Sequence, residues 1–241
     1  MRIHSIETLG ASDGPGIRMV IFLQGCSLRC AYCHNPDSWD LKGGTEASVE
    51  ELVERAIRMK DYFGDNGGVT ISGGEPLLQA KEVLELLRAL KRNGIHTAVD
   101  TAGVEPDEMV TQVIAEADLL LVDLKAGDEK SYKSLTGGNL EACLRFLDEA
   151  GALGKRIWIR HVLVPGVNDG QEERHSLEGR LRKLLERGIR LDRIEILPYH
   201  SMGVCKYEKM GISYKLHGVE DMRPEKALRV EKELRACLGF N

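Results

Sequence analysis

The chain has 241 residues, of which 29% are charged and 42% hydrophobic, as is ordinary for a globular protein of one large domain or two small ones. Its net charge of −5 provides no basic field, which excludes nucleic acid as the main partner. The N-terminus MRIHSIETLG has no secretory signal, and no apolar run approaches the roughly 20 residues that span a bilayer. We therefore expect a cytoplasmic protein whose clustered cysteines serve metal or redox chemistry.

Short β-rich runs alternate with amphipathic helical segments. A first helix opens at Ser48, where Glu51 completes a capping box, and a second closes at Asn93-Gly94. Pro106 is predicted as the first residue of a third helix, and Pro224 lies near the start of the last. Two more helices are predicted around 140–147 and from about 170. The predicted strands are 19–23, 68–72, 95–100, 118–123, 156–164 and 193–197.

Continuous apolar strands that alternate with helices indicate a parallel sheet covered by helices. Six strand–helix units are too few for a closed eight-fold barrel. We therefore predict an α/β fold, a partial (β/α)6 barrel of the TIM type with an open parallel sheet and outer helices. A doubly wound sheet is the second interpretation, since periodicity alone does not separate the two. We expect residues 1–241 to form one domain.

Ligands of parallel α/β folds bind at the carboxyl ends of the strands, and unusual residues follow each predicted strand. Glycines, aspartates and a histidine also have ordinary roles in turns, caps and surfaces. Arg160 is harder to explain in this way, because it interrupts an apolar strand and needs a partner if it is buried. In strand order the residues are the cysteine cluster, Ser72-Gly73-Gly74-Glu75-Pro76, Asp100-Thr101, Asp123 with Lys125, Arg160, and Pro198-Tyr199-His200.

Three cysteines, at 26, 30 and 33, lie within eight residues. CAYCH matches covalent haem attachment, but haem leaves Cys26 unexplained and requires export. Structural zinc usually takes two separated pairs of ligands, and no second pair follows. An iron–sulfur cubane fits better, because each thiolate can bind one iron. The fourth iron then takes either a distant cysteine or a ligand from outside the protein.

The other cysteines bear on that choice. Cys143 and Cys237 lie on apolar helix stripes and are predicted to be core residues, and Cys205 lies in a polar loop with no assigned role. These positions favour an open fourth iron. An open coordination position indicates catalysis, by the logic that separates catalytic from structural zinc.

CSLRCAYC resembles the C-x3-C-x2-C motif of the radical S-adenosylmethionine enzymes. Within that superfamily, the chain is similar over nearly its whole length to the activases that install glycyl radicals in partner enzymes. The resemblance implies a partial (β/α)6 barrel, in agreement with the strand count. The similar segments are SDGPGIR (12–18), LQGCSLRCAYCHNPDSWD (23–40), GGVTISGGEPLLQ (67–79), GIHTAVDTAG (94–103), DLLLVDLK (118–125), WIRHVLVPG (158–166), LPYHSMG (197–203) and KYEKMGISYKL (206–216).

The resemblance implies a [4Fe-4S] cluster on Cys26, Cys30 and Cys33 as the catalytic centre, with S-adenosylmethionine on the open iron. The implied cofactor-binding residues are Tyr32, Cys33, His34, Gly73, Gly74, Asp123, Leu124, Lys125, Arg160 and His200. A monovalent cation, Na⁺ or K⁺, is implied at Asp100, Thr101, the Leu121 carbonyl and Asp123. Asp13 and His34 match positions that contact the glycine loop of the partner enzyme.

The implied reaction begins when the reduced cluster donates one electron to S-adenosylmethionine. A 5′-deoxyadenosyl radical results and takes hydrogen from a glycine of the partner, with flavodoxin or ferredoxin as the implied electron donor. No ferredoxin-like insertion follows HNPDSWDLKGG, which favours pyruvate formate-lyase as the partner. Another glycyl radical enzyme or a small molecule is the alternative substrate.

Overall fold

The computed structural model describes residues 1–240 and contains one mixed sheet of eight strands. The strands are β1 (Arg2–Gly10), β2 (Arg18–Leu23), β3 (Thr45–Glu46), β4 (Gly68–Gly73), β5 (Thr97–Thr101), β6 (Leu119–Asp123), β7 (Ile157–Leu163) and β8 (Leu191–Pro198). Their order is β3-β1-β2-β4-β5-β6-β7-β8. All pairs from β2 to β8 are parallel, whereas β1 is antiparallel to β2 and β3.

The six parallel strands confirm the predicted partial (β/α)6 barrel. A doubly wound sheet reverses its strand order at a switch point, and this order runs in one direction from β2 to β8. The sheet is open, because β3 and β8 have neighbours on one side only. The antiparallel strands β1 and β3 were not predicted. β1 alternates between half-buried and exposed positions, so it lacks the continuous apolar run of the inner strands.

Helices follow the parallel strands and cover the sheet. They are α1 (Val49–Arg58), α2 (Lys60–Phe63), α3 (Ala80–Arg92), α4 (Glu108–Glu116), α5 (Glu129–Thr136), α6 (Leu140–Ala152), α7 (Gln171–Glu186), α8 (Val204–Met210) and α9 (Pro224–Cys237). The short helices α2, α5 and α8 were not predicted, because few apolar positions mark them. None of the helices within residues 1–240 is long and apolar enough to cross a membrane.

Helix starts depend on which side chain accepts the first free N–H groups. The capping box of α1 is confirmed, since Ser48 Oγ accepts from Glu51 N–H and Glu51 Oε2 accepts from Ser48 N–H. The prediction that Pro106 begins a helix was wrong. Asp107 is the N-cap of α4, and its Oδ1 accepts from Val110 N–H at 2.8 Å. A carboxylate at this place satisfies an N–H group inside the helix, so the helix begins one residue beyond the cap.

The cysteines outside the first cluster differ in their surroundings. Cys143 is buried under the helical layer, as predicted. The prediction that Cys237 is a core residue was wrong, because the last turn of α9 leaves it exposed. Cys205 is also exposed, and it lies on α8 rather than in a loop.

Side chains of the parallel strands alternate between the helical layer and the inner face of the barrel. In β6, Leu120 and Val122 belong to the main core, whereas Leu121 packs in a small inner cluster with Trp158. The same alternation brings Asp123 to the inner face where β6 ends. Apolar side chains thus fill the lower part of the interior, and polar ones surround the space at the carboxyl ends.

Candidate active site

A cleft of about 480 Å³ lies at the carboxyl ends of the parallel strands, where we expected a site. The predicted residues that line it are Asp13, Cys26, Cys30, Tyr32, Cys33, His34, Gly73, Gly74, Asp100, Thr101, Asp123, Lys125, Arg160 and His200. A depression of about 690 Å³ beside the N-terminus is larger but contains none of the predicted residues. The predicted site residues therefore gather in the smaller cleft.

The cysteines lie on an irregular loop after β2, and the unpredicted helix α5 fixes its course. Arg29 N–H donates to the Thr136 carbonyl at 2.8 Å, and Ala31 N–H donates to the Leu135 carbonyl at 2.7 Å. The last carbonyls of a helix have no partner inside the helix, so they are free to accept these bonds. The end of α5 thus supports the segment that presents the three thiols.

The three thiols are half-buried and face the cleft. Burial raises the pKa of Cys26 to about 11 and the pKa of Cys30 to about 12. Such thiols carry their protons at neutral pH until a metal replaces them. No three His, Cys, Asp or Glu side chains of residues 1–240 are placed to hold one metal ion together. A cubane differs from a single ion, because it takes each thiolate on a separate iron.

Four buried polar atoms on the cleft wall have no hydrogen-bond partner among the described residues. They are the Tyr32 hydroxyl, Asp100 Oδ1, Arg160 Nε and His200 Nδ1. Buried polar groups are almost always paired, and each unpaired one costs ~1–3 kcal/mol. Their convergence on one cleft fits a polar ligand that supplies the missing partners.

Two ion pairs carry the charge of the cleft. Lys125 Nζ lies 2.6 Å from Asp123 Oδ2, and Arg160 Nη1 lies 3.2 Å from Asp100 Oδ2. Although burial alone would lower it, the Asp123 carboxylate holds the pKa of Lys125 well above its ordinary value. Burial raises the pKa of Asp100 to about 6, and the charge of Arg160 offsets part of that rise. Both cations stay charged at neutral pH and are available to a ligand carboxylate.

His34 and His200 form one wall of the cleft. Their rings are stacked with centroids 3.9 Å apart and planes inclined by 17°. His34 Nε2 lies 3.0 Å from the His200 carbonyl, to which only a protonated nitrogen can donate. Burial lowers the pKa of His34, so the ring is neutral and its one proton is on Nε2. The stack joins the cysteine loop to the segment after β8.

Gly73 and Gly74 line the cleft, and the structure shows a further reason for glycine at both positions. A Cβ on Gly73 would overlap the backbone of Leu23, and Gly73 has φ +116°. A Cβ on Gly74 would overlap the Gly25 carbonyl and lie 3.2 Å from Cys26 Cβ. The absence of side chains therefore lets the end of β4 lie directly against the cysteine loop.

Two predicted residues, Leu121 and Leu124, lie outside the cleft wall. The Leu121 side chain packs in the small inner cluster. The Leu124 side chain is buried in the helical core, and its carbonyl accepts from His161 Nδ1 at 2.7 Å. Neither side chain reaches the cleft, so any contribution to a ligand is through the backbone.

Glu75 was not assigned a role from the sequence, although it lines the cleft and is buried. Its carboxylate accepts from Thr101 Oγ1 at 2.7 Å, Ala102 N–H at 3.0 Å and Leu77 N–H at 3.1 Å. These bonds fix the segments after β4 and β5 relative to each other. The sequence did contain a signal for Glu75, because an acid that directly follows Gly73-Gly74 at the end of a buried strand is unusual.

Comparison with known proteins agrees with this fold. The model of the Radical SAM superfamily matches residues 20–177, which include the cysteines. Streptococcus suis SuiB, solved with S-adenosylmethionine bound, superposes with a TM-score of 0.65 over 90% of this chain and 46% of its own. At 16% identity this likeness shows the fold alone. An open barrel with this cysteine loop after its first parallel strand defines a radical SAM protein.

Two curated relatives narrow the class. The pyruvate formate-lyase-activating enzyme of Clostridium pasteurianum is 44% identical over 98% of both chains. The pyruvate formate-lyase 1-activating enzyme of Escherichia coli K12 is 40% identical over 95% of this chain and 93% of its own. The chain belongs to the pyruvate formate-lyase-activating enzyme family of the radical SAM superfamily.

Proposed function

We propose that the protein uses a [4Fe-4S] cluster and S-adenosylmethionine to remove hydrogen from a glycine of pyruvate formate-lyase, which leaves a glycyl radical. The observation that carries this proposal is the convergence of three thiols and four unpaired buried polar atoms on one cleft. The names of the relatives support pyruvate formate-lyase as the partner.

Cys26, Cys30 and Cys33 hold the cluster, whose contribution is the one-electron cleavage of S-adenosylmethionine that supplies the radical. Lys125 and Arg160 would offer positive charge to the carboxylate of that cofactor, and the His200 imidazole would face its adenosyl part. The proposed contacts with the cofactor are Tyr32, Cys33, His34, Gly73, Gly74, Asp123, Leu124, Lys125, Arg160 and His200.

A monovalent cation, Na⁺ or K⁺, is proposed near the acids of the cleft. Asp100 Oδ1 is buried and unpaired, and a cation would satisfy it. The proposed ligands are Asp100, Thr101, the Leu121 carbonyl and Asp123. The Thr101 hydroxyl already donates to Glu75, so its oxygen is left to face a cation through a lone pair.

The glycine of the partner lies in a peptide loop, so the cleft must accept an extended backbone. Asp13 faces the cleft, and its carboxylate makes no hydrogen bond or ion pair with the described residues. A free carboxylate suits a peptide N–H, and the neutral His34 ring lines the same cleft. Placement of the glycine beside the cofactor, with exclusion of water, is what these residues contribute to the rate.

The remaining features of the proposal concern the whole protein. We propose one radical SAM domain over residues 1–241, located in the cytoplasm, where cysteines stay reduced. Flavodoxin or ferredoxin is the proposed electron donor to the cluster.

The test is an anaerobic activation assay. Protein reconstituted with iron and sulfide is reduced and mixed with S-adenosylmethionine and pyruvate formate-lyase, and electron paramagnetic resonance is recorded. The expected result is the doublet of a glycyl radical in the partner. Cleavage of S-adenosylmethionine without this doublet would contradict the proposed partner and direct the assay to other glycyl radical enzymes. Failure to cleave it at all would contradict the reaction.

A further inference from the structure

Arg18 is fully buried, yet it has no carboxylate within ion-pair distance in the described part of the chain. Its donors bind neutral acceptors instead. Nε donates to Thr70 Oγ1 at 2.5 Å, Nη1 to the Pro15 carbonyl at 3.1 Å and Nη2 to the Val69 carbonyl at 2.7 Å. An unpaired buried charge is costly, and an apolar side chain would fill the same space at lower cost. Packing therefore does not account for this arginine.

Arg18 Nη2 also lies 3.3 Å from His96 Nδ1 and donates to the His96 carbonyl at 3.4 Å. Arg18 therefore connects the loop 11–17, which joins β1 to β2, to β4 and to the residue before β5. Arg18 holds Pro15 directly. It holds Asp13 through Thr70, whose hydroxyl accepts from the guanidinium and donates to the Asp13 carbonyl at 2.6 Å. A hydroxyl has one proton and two lone pairs, so it can do both at once. Thr70 thus connects the buried charge to the backbone of Asp13.

The backbone of the loop 11–17 turns tightly against the Arg18 side chain. Gly14 and Gly16 have φ values of +126° and +68°, which residues with side chains rarely adopt. A Cβ on Gly14 would lie 2.9 Å from Arg18 Cδ. The tight course of the loop and the extended arginine therefore fit each other.

The loop reaches the cleft at Ser12 and Asp13, and Asp13 is the charged residue of the two. Its carboxylate makes no hydrogen bond or ion pair with the described residues, although the charges of Arg160 and Arg18 attract it from beyond contact distance. The direct hydrogen bond that holds Asp13 is the one to its backbone carbonyl. A charged acceptor contributes a strong hydrogen bond only when it is held within about 0.5 Å of the productive geometry. A hydrogen bond to the Asp13 backbone holds the residue in place and leaves both oxygens of its carboxylate free to bind a ligand.

We propose that Arg18, acting through Thr70, is a positioning residue that presents the Asp13 carboxylate to an extended peptide backbone. This inference rests on the proposed function, because it concerns the binding of the partner's glycine loop. Neither Arg18 nor Thr70 lines the cleft, so neither touches the cofactor. Their effect is on the recognition of the partner and leaves the cleavage of S-adenosylmethionine unchanged.

The test uses Thr70→Val, which keeps the shape of the side chain and removes the hydroxyl, with Thr70→Ser as the matched control. For Thr70→Val we expect the Kd and the KM for pyruvate formate-lyase to rise about tenfold, as expected for the loss of roughly one good hydrogen bond. Cleavage of S-adenosylmethionine without the partner should equal that of the wild type. Thr70→Ser should restore binding to within about twofold of the wild type. Arg18→Met serves as a further variant only if it folds.

Two measurements separate positioning from a merely structural role. In an Asp13→Asn background, Thr70→Val should have no further effect on Kd, because the group that it positions is already altered. Amide hydrogen exchange of residues 12–17 should speed up about tenfold in Thr70→Val, with or without the partner. Unchanged exchange in this segment, an unchanged Kd, or effects that add in the double variant would each overturn the inference. A wild-type protein that makes no glycyl radical would overturn the proposed function, and the exchange result would still decide the role of Arg18 and Thr70.

Discussion

Asp100 and Arg160 meet inside the barrel, with 3.2 Å between Oδ2 and Nη1, although they lie 60 residues apart. They belong to β5 and β7, so the pair reaches across β6, which lies between them. The Ser72 hydroxyl donates to the same carboxylate oxygen at 2.8 Å. This contact explains why an arginine interrupts an apolar strand.

The pH dependence of stability should show the raised pKa of Asp100. In the folded state the Asp100 carboxyl has a pKa of about 6, whereas its ordinary value is 3.8. The protonated carboxyl therefore favours the folded state most below pH 3.8, and this contribution to stability is lost as the pH rises to 6. Asp100→Asn lacks this loss. The free energy of unfolding of the variant minus that of the wild type should therefore rise by about 2 kcal/mol between pH 4 and pH 6. Urea titrations across this range measure it.

Asp118 provides a control of opposite sign. Although burial alone would raise it, hydrogen bonds from the Thr97 N–H and hydroxyl hold the pKa of Asp118 below its ordinary value. Its stabilisation is present above pH 3.8 and is lost as the pH falls. For Asp118→Asn, the free energy of unfolding of the variant minus that of the wild type should fall as the pH rises toward 5, because the wild type gains stability over this range. Equal slopes for the two variants would contradict both assignments.

The protonation of His34 is open to direct observation. Burial lowers its pKa below 6.5, so the ring should be neutral at pH 7 with the proton on Nε2. Nitrogen-15 chemical shifts of the imidazole report both the tautomer and the titration midpoint, and His34→Ala identifies the signal. A midpoint above 6.5 would contradict the burial of the ring, which is the cause that lowers the pKa. A single proton on Nδ1 would show that the contact with the His200 carbonyl is not formed in solution.

Replacing Gly74 and Gly179 by alanine should have opposite effects on the stability of the protein. Gly74→Ala forces a methyl group into the Gly25 carbonyl, so we expect a loss of ~1–3 kcal/mol in stability and a lower iron content after reconstitution. Gly179 lies within α7 with nothing near a Cβ, so Gly179→Ala should stabilise by about 0.5–1 kcal/mol. Thermal unfolding and iron analysis of both variants provide the check. A tolerated Gly74→Ala would mean that the cysteine loop does not pack against the end of β4.

Alanine at Cys26, Cys30 or Cys33 should abolish both cluster retention and the cleavage of S-adenosylmethionine, because the cluster has no substitute thiol nearby. Cys143→Ala should retain both and lose about 1 kcal/mol of stability, since it trims a buried side chain. Iron content and the release of 5′-deoxyadenosine measure the two effects.

Cys237→Ala is the second control in this series. Its thiol is exposed, so the change should alter neither stability nor activity. If Cys143 or Cys237 proved essential, the fourth iron would not be open to the cofactor.

Much of the fold was predictable, because β2, β4, β5 and β6 are buried on both faces and have nearly continuous apolar sequences. The ends of these strands then predicted where the cleft lies. The antiparallel strand β1 and the short helix α5 have no such run, so they were missed. α5 nonetheless supports the cysteine loop through the carbonyls of Leu135 and Thr136. Cys237 shows the limit of helical periodicity, which marks a stripe but not how far along the helix the core extends.

The spacing of nearby residues was sufficient to predict the cysteine triad, the parallel strands and the family, because each of these depends on residues that are close together in the sequence. The pairing of polar groups was not accessible in this way. Thr70 holds Asp13 from 57 residues away, and Asp100 meets Arg160 from 60. Such contacts depend on the register between strands and on which side chains the barrel leaves without partners. Both are set when the whole sheet assembles, because sheet order brings distant residues within hydrogen-bond distance.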